Sequence, residues 1–199
     1  MPELLVPPAR WARWVENFAT RHGGVVLRAE GGLHGVAPDG STFSARLPFD
    51  LAYVGEAEPV EFAAAARPPG VWGVLLVRKG GFAVARLAGA ELVEHKVGQR
   101  HVQGRTKAGG QSQQRFARRR ENQSRAAYEA AAEHAARILR PGVLVTGGDR
   151  TAVDGVLTDV RLSGMRVVEP WLAVPDPRRA VLDKAIADAQ ALCVDVTNA

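Results

Sequence analysis

The sequence predicts an α/β chain built around a mixed sheet, and three features carry that expectation. Short apolar runs rich in Val and Leu, Val71 to Arg78 and Phe82 to Leu87 among them, are bounded by glycine turns and read as strands. Longer stretches with apolar residues at helical spacing, Pro8 to His22 and Ser112 to Leu139, read as helices. In the C-terminal two thirds, three successive strands give way to helices alternating with strands, and such an order needs crossovers laid over a sheet.

The first helix, Pro8 to His22, puts Trp11, Trp14, Val15, Phe18 and His22 on one face, with Pro7 and Pro8 at its start and Gly23 at its stop. An apolar stripe of this kind faces a core, so the two tryptophans are read as packing residues and not as platforms for bases. Val25 to Ala29, Leu33 to Val36 and Thr42 to Leu47 follow as short strands, separated by Glu30-Gly31-Gly32 and Pro38-Asp39-Gly40. A short helix around Val60 to Ala66 completes a small N-terminal α+β unit, residues 1–67, which ends at Arg67-Pro68-Pro69-Gly70.

A second domain, residues 68–199, opens with strands at Val71 to Arg78, Phe82 to Leu87 and Glu91 to Val97. After a loop from Gly98 to Gln111 comes a helix from about Ser112 to Leu139, stopped by Pro141-Gly142; roughly 28 residues extend about 42 Å, longer than most cores. Val143 to Val145 is a strand ending in the turn Thr146-Gly147-Gly148-Asp149, Thr151 caps a helix to Leu162, Arg166 to Leu172 is a strand, and Pro177 begins a last helix through Cys193. The order βββαβαβα is that of a ribonuclease H-like mixed sheet.

The 199 residues suffice for one domain with an appendage, and no apolar run approaches the roughly 20 residues of a membrane span. The N-terminus lacks a basic segment followed by an apolar one, so a cytoplasmic protein is expected. Cys193, the single cysteine, is expected to be a buried thiol. His22, His34, His95, His101 and His134 show no paired ligand spacing, and neither metal nor cofactor is expected.

Charge is strongly local. From Arg100 to Arg125 eight Lys or Arg stand against the single acid Glu121, a local +7 in a chain whose total is +5, so the remaining residues carry −2. Inside that stretch, Gly109 and Gly110 precede Gln111. Two glycines remove side-chain bulk and admit positive φ, so the backbone can enter a narrow cleft. The Gln111 amide donates and accepts hydrogen bonds but does not titrate near neutral pH, so it can position a reactant and cannot serve as a general base. Arg115, Arg118, Arg119, Arg120 and Arg125 follow on the predicted helix, with few acids in reach, while Phe116, Ala127, Ala131, Ala135 and Ile138 favour packing of its later half. With Arg105 and Lys107 on the other side of the glycines, these cations form a candidate RNA-binding patch, mostly for phosphate.

Gly109-Gly110-Gln111-Ser112 followed by Arg115-Phe116-Ala117-Arg118 resembles the peptidyl-tRNA hydrolysis motif of archaeal and eukaryotic class-1 release factors. The order of elements from Val71 onward is similar to that family's catalytic domain. Neither its Asn-Ile-Lys-Ser codon-reading motif nor its GTPase-binding domain is recognisable, so codon-directed termination is not expected; the chain resembles more closely the Vms-like release factors of ribosome-associated quality control, their actinobacterial members in particular. The resemblance implies a monomeric enzyme that hydrolyses the ester between nascent peptide and tRNA on the large ribosomal subunit. Gly109 and Gly110 would fit the loop among rRNA and the CCA end; Gln111 would place the water and stabilise the transition state through its backbone N–H.

Two other classes stay open. A nuclease cutting tRNA near its CCA end needs clustered carboxylates, and Asp149, Asp154, Asp159, Glu169 and Asp195 do not obviously converge. A non-catalytic rescue factor of Pelota type would dispense with Gly-Gly-Gln. Gly147-Gly148-Asp149 follows a strand and precedes a helix, but lacks the P-loop's Lys-Ser/Thr and reads as an ordinary turn.

Overall fold

The computed structural model describes residues 4–99 and 128–199, which form two compact units. Among these residues the first comprises 4–69, Val168–Pro170 and Ile186–Ala199; the second comprises 70–99, 128–167 and Trp171–Ala185.

In the first unit, α1 (Pro8–His22) begins with proline in its first turn and ends at Gly23, whose φ of 78° lets the following Gly24 N–H reach the carbonyl of Ala19 at 2.8 Å. The sheet runs β1 (Leu4–Val6), β10 (Leu192–Thr197), β4 (Thr42–Arg46), β3 (Leu33–Val36), β2 (Val26–Ala29), every pair antiparallel. Trp11, Val15 and Phe18 of α1 pack with Phe43, Ala45, Leu33, Val194 and Phe62, the last from α2 (Pro59–Ala65). Trp11 is fully buried, stacked on Trp14 at 5.1 Å and edge-on to Phe43 at 5.6 Å, so both tryptophans serve the core as their spacing indicates.

The C-terminal segment departs from expectation. Instead of continuing as helix through Cys193, the chain leaves α5 (Arg179–Ala189) and runs as β10 between β1 and β4. Leu192, Cys193 and Val194 are buried there. The partners that make this segment a central strand lie about 150 residues earlier for β4 and about 190 for β1, beyond the reach of any local pattern.

The second sheet runs β7 (Glu91–Gln99), β6 (Gly81–Ala88), β5 (Trp72–Arg78), β8 (Gly142–Gly148), β9 (Met165–Leu172), and except for Val168–Pro170 of β9 its strands belong to the second unit. β7, β6 and β5 are antiparallel neighbours, and β8 is parallel to β5. α3 (residues 128–138) and α4 (Arg150–Leu157) cover one face through Ala131, Ala135, Ile138, Val153 and Val156, packed with Leu75, Val77, Phe82 and Val84. The alternate residues Val74, Leu76, Ala83 and Ala85 are equally buried, which explains why β5 reads as an unbroken apolar run.

Two local expectations are revised. Thr146, Gly147 and Gly148 are not a turn; they continue β8 opposite Leu75, Leu76 and Val77. A Cβ on Gly147 would collide with the Leu172 carbonyl and one on Gly148 with the Val77 carbonyl, so these glycines permit backbone contact inside the protein. The α4 cap is Asp149 and not Thr151: its carboxylate accepts from the Ala152 N–H at 3.3 Å.

Candidate active site

Gly109, Gly110 and Gln111 lie outside the described residues, as do Arg105, Lys107, Arg115, Arg118, Arg119, Arg120 and Arg125. The structure describes the frame from which that stretch departs and to which it returns: β7 before it and α3 after it.

The frame is tied at two levels. At the upper one, Phe82 of β6 faces Gly98 of β7, and a Cβ on Gly98 would overlap the Phe82 ring. The ring lies against the glycine and stacks on His134 of α3, centroids 5.5 Å apart and planes at 27°. One aromatic thus joins the end of β7 to the helix on which the chain returns.

The lower tie is ionic. Arg86 and Glu94 stand directly opposite each other on β6 and β7, and the Arg86 guanidinium donates both to Glu94 (3.3 Å) and to the Ile138 carbonyl (3.0 Å). Arg137 donates to the other Glu94 oxygen at 2.9 Å. A guanidinium at the C-terminal end of α3 satisfies a carbonyl that lacks a helical donor and complements the negative end of the helix dipole. Arg179, at the start of α5, donates to His95 Nε2 at 2.8 Å and holds β7 from a third element.

Sequence reasoning passed over Phe82, Glu94, Arg86 and His134, and a bulge is the reason. Between Arg86 and Leu87 the register of β6 and β7 shifts by one residue, so Leu87 pairs with Leu92 while Arg86 pairs with Glu94. Counted from the Gly89 turn without that shift, Phe82 would face Val97 and the Gly98 contact would go unseen. The signal that was available is Gly98 itself, a glycine in a strand, which marks a close approach.

Three of the five carboxylates weighed for a nuclease have other engagements. Asp149 caps α4, Asp159 binds Arg161 through both oxygens at 2.9 and 2.7 Å, and Asp195 pairs with Arg46 at 3.6 Å in the first unit's sheet. Arg161, by its side chain and then by its backbone N–H, holds the Asp159 carboxyl at about 2, below its ordinary 3.8. Among the described residues no group of three or more His, Cys, Asp or Glu is arranged to hold a metal ion. A cavity of about 270 Å³ walled by Arg46, Asp50, Glu169 and Cys193 belongs to the first unit, whereas β7 and α3 belong to the second.

The profile of the Actinobacteria/chloroflexi VLRF1 release factor family matches residues 70–195, well over half of the chain. The chain belongs to that release factor family. Its matched span takes in the frame of β6, β7 and α3 together with Gly109-Gly110-Gln111 between them. Among solved structures, the chain is similar to one titled "Vms1 mitochondrial localization core", at 11% identity and a TM-score of 0.38, over 93% of this chain and 80% of that one. No curated protein matches. Among the described residues no helix is long and apolar enough to cross a membrane.

Proposed function

We propose that this member of the release factor family is a peptidyl-tRNA hydrolase that frees nascent peptides on stalled large ribosomal subunits. One observation carries the reading: the span matched by the release factor family contains Gly109-Gly110-Gln111, set in the most basic stretch of the chain. Water is the nucleophile. Gln111 positions it through the side-chain amide and meets the developing oxyanion with the backbone N–H, and the two glycines make room among RNA. Arg105, Lys107, Arg115, Arg118, Arg119, Arg120 and Arg125 hold phosphates on both sides of the motif.

The chemistry is assigned to the second unit, and its strand order supports a ribonuclease H-like scaffold: numbering the strands from β5, the sheet reads 3-2-1-4-5. The protein acts as a cytoplasmic monomer on rRNA and peptidyl-tRNA.

Release of labelled peptide from purified 50S subunits carrying peptidyl-tRNA tests the proposal. Wild type should release it with the CCA end of the tRNA intact. Removing a transition-state donor typically costs about 3 to 4 kcal/mol, so Gln111→Ala should slow release by roughly a hundredfold to a thousandfold while still binding the subunit. Full activity in that variant removes Gln111 from the mechanism, and a shortened tRNA turns the reading to a nuclease.

A further inference from the structure

The first unit carries a cationic surface of its own, on α1, which lies roughly 90 residues before the motif in sequence. Arg10, Arg13, Asn17 and Arg21 recur at intervals of three, four and four residues. At 3.6 residues per turn they fall within an arc of about 80° and extend about 17 Å along the helix. All four are exposed, on the side away from Trp11, Val15 and Phe18.

Two features leave these arginines available to an outside anion. First, Arg78, Arg86, Arg137, Arg161 and Arg179 each pair with a carboxylate on their own unit, whereas no ion pair involves Arg10, Arg13 or Arg21 among the described residues. Glu16, the only acid of α1, sits one turn from Arg13 without bridging to it. Second, Arg10 lies in the first turn, where the helix dipole opposes a cation and where α1 carries no acid to offset it. That placement weakens the isolated helix and strengthens its attraction for an anion.

Given the release-factor reading, on which this rests for the nature of the polyanion, we infer that the exposed face of α1 is a second RNA-contacting surface, taking ribosomal or transfer RNA along its phosphate backbone through Arg10, Arg13 and Arg21. Guanidinium groups suit phosphate because their forked donors match two oxygens at once. Asn17, between them, offers a neutral donor to the same strand.

The test measures binding of the full chain to purified 50S subunits and to a short RNA duplex across a salt series, for wild type, R10Q/R13Q/R21Q and R10K/R13K/R21K. Each phosphate contact contributes about 0.7 to 0.9 to the slope of log affinity against log salt. The glutamine triple variant should therefore lose roughly 2 to 3 in slope and weaken about tenfold or more at moderate salt, with its melting temperature unchanged, and the lysine variant should keep most of the slope. Unchanged slope and affinity in the glutamine variant overturn the inference, and leave the proposed function standing if Gln111→Ala is still inactive in release. Wild type that binds neither 50S nor duplex sinks both. Preference for phosphatidylserine vesicles over either RNA also overturns it, by making the partner a membrane.

Discussion

Single side chains decide how firmly the frame around the motif is held. Gly98 is required by the ring it faces, so Gly98→Ala should destabilise the protein by about 1 to 3 kcal/mol, the usual range for an extra methyl in a filled space. In a Phe82→Ala background the same change should cost far less, and thermal melts of the four members of that cycle measure the coupling. Asp159 makes a different forecast. Its folded carboxyl titrates at about 2 against an ordinary 3.8, so the stability it adds is present above 3.8 and disappears as pH falls through 2. Wild type and Asp159→Asn should accordingly differ in melting temperature at pH 6 and converge near pH 2.

At the level of elements, β10 is the most exposed to challenge. It lies between β1 and β4, with Leu192 and Val194 fully buried, so Val194→Asp would place a carboxylate in the core of the first unit. That change should unfold the N-terminal sheet, seen as rapid proteolysis within residues 1–67, while the ladder of β5, β6 and β7 in the second unit is not directly touched. Periodicity and turn residues located α1, α2 and the strands β2 to β7 to within a residue or two. They did so because these elements are marked locally, by helical or strand patterning and by the proline and glycine turns that bound them. β10 is hidden because the helical pattern reads on to Cys193, and nothing in Leu192-Cys193-Val194 names a partner strand far back in the sequence. β1, at three residues, is too short to show a period. The frame of Phe82, Gly98 and His134 was hidden by one bulged residue, whereas the motif it brackets was plain in the sequence, since its chemistry depends on residue type and neighbours alone.

For the molecule as a whole, charge is the organising quantity. The net +5 is the sum of a +7 stretch and a slightly acidic remainder, so association with an RNA particle should be steep in salt even though most of the chain is not basic. Replacing Arg115, Arg118 and Arg119 together by Gln should flatten the log–log salt dependence of 50S binding by about 2 to 3, as each phosphate contact adds roughly 0.7 to 0.9. A slope that stays put would mean these cations face solvent.

The lacing of β10 into the first sheet has a consequence for how the polypeptide comes into being. Strands β5, β6 and β7 follow one another directly and can pair as soon as they are made. The N-terminal third, although synthesised before them, keeps an open gap between β1 and β4 until residues 192–197 arrive. The portion translated before β5 to β7 is thus the later one to mature, and it must wait with Phe43, Ala45 and their neighbours incompletely covered, a window in which chaperones have something to hold.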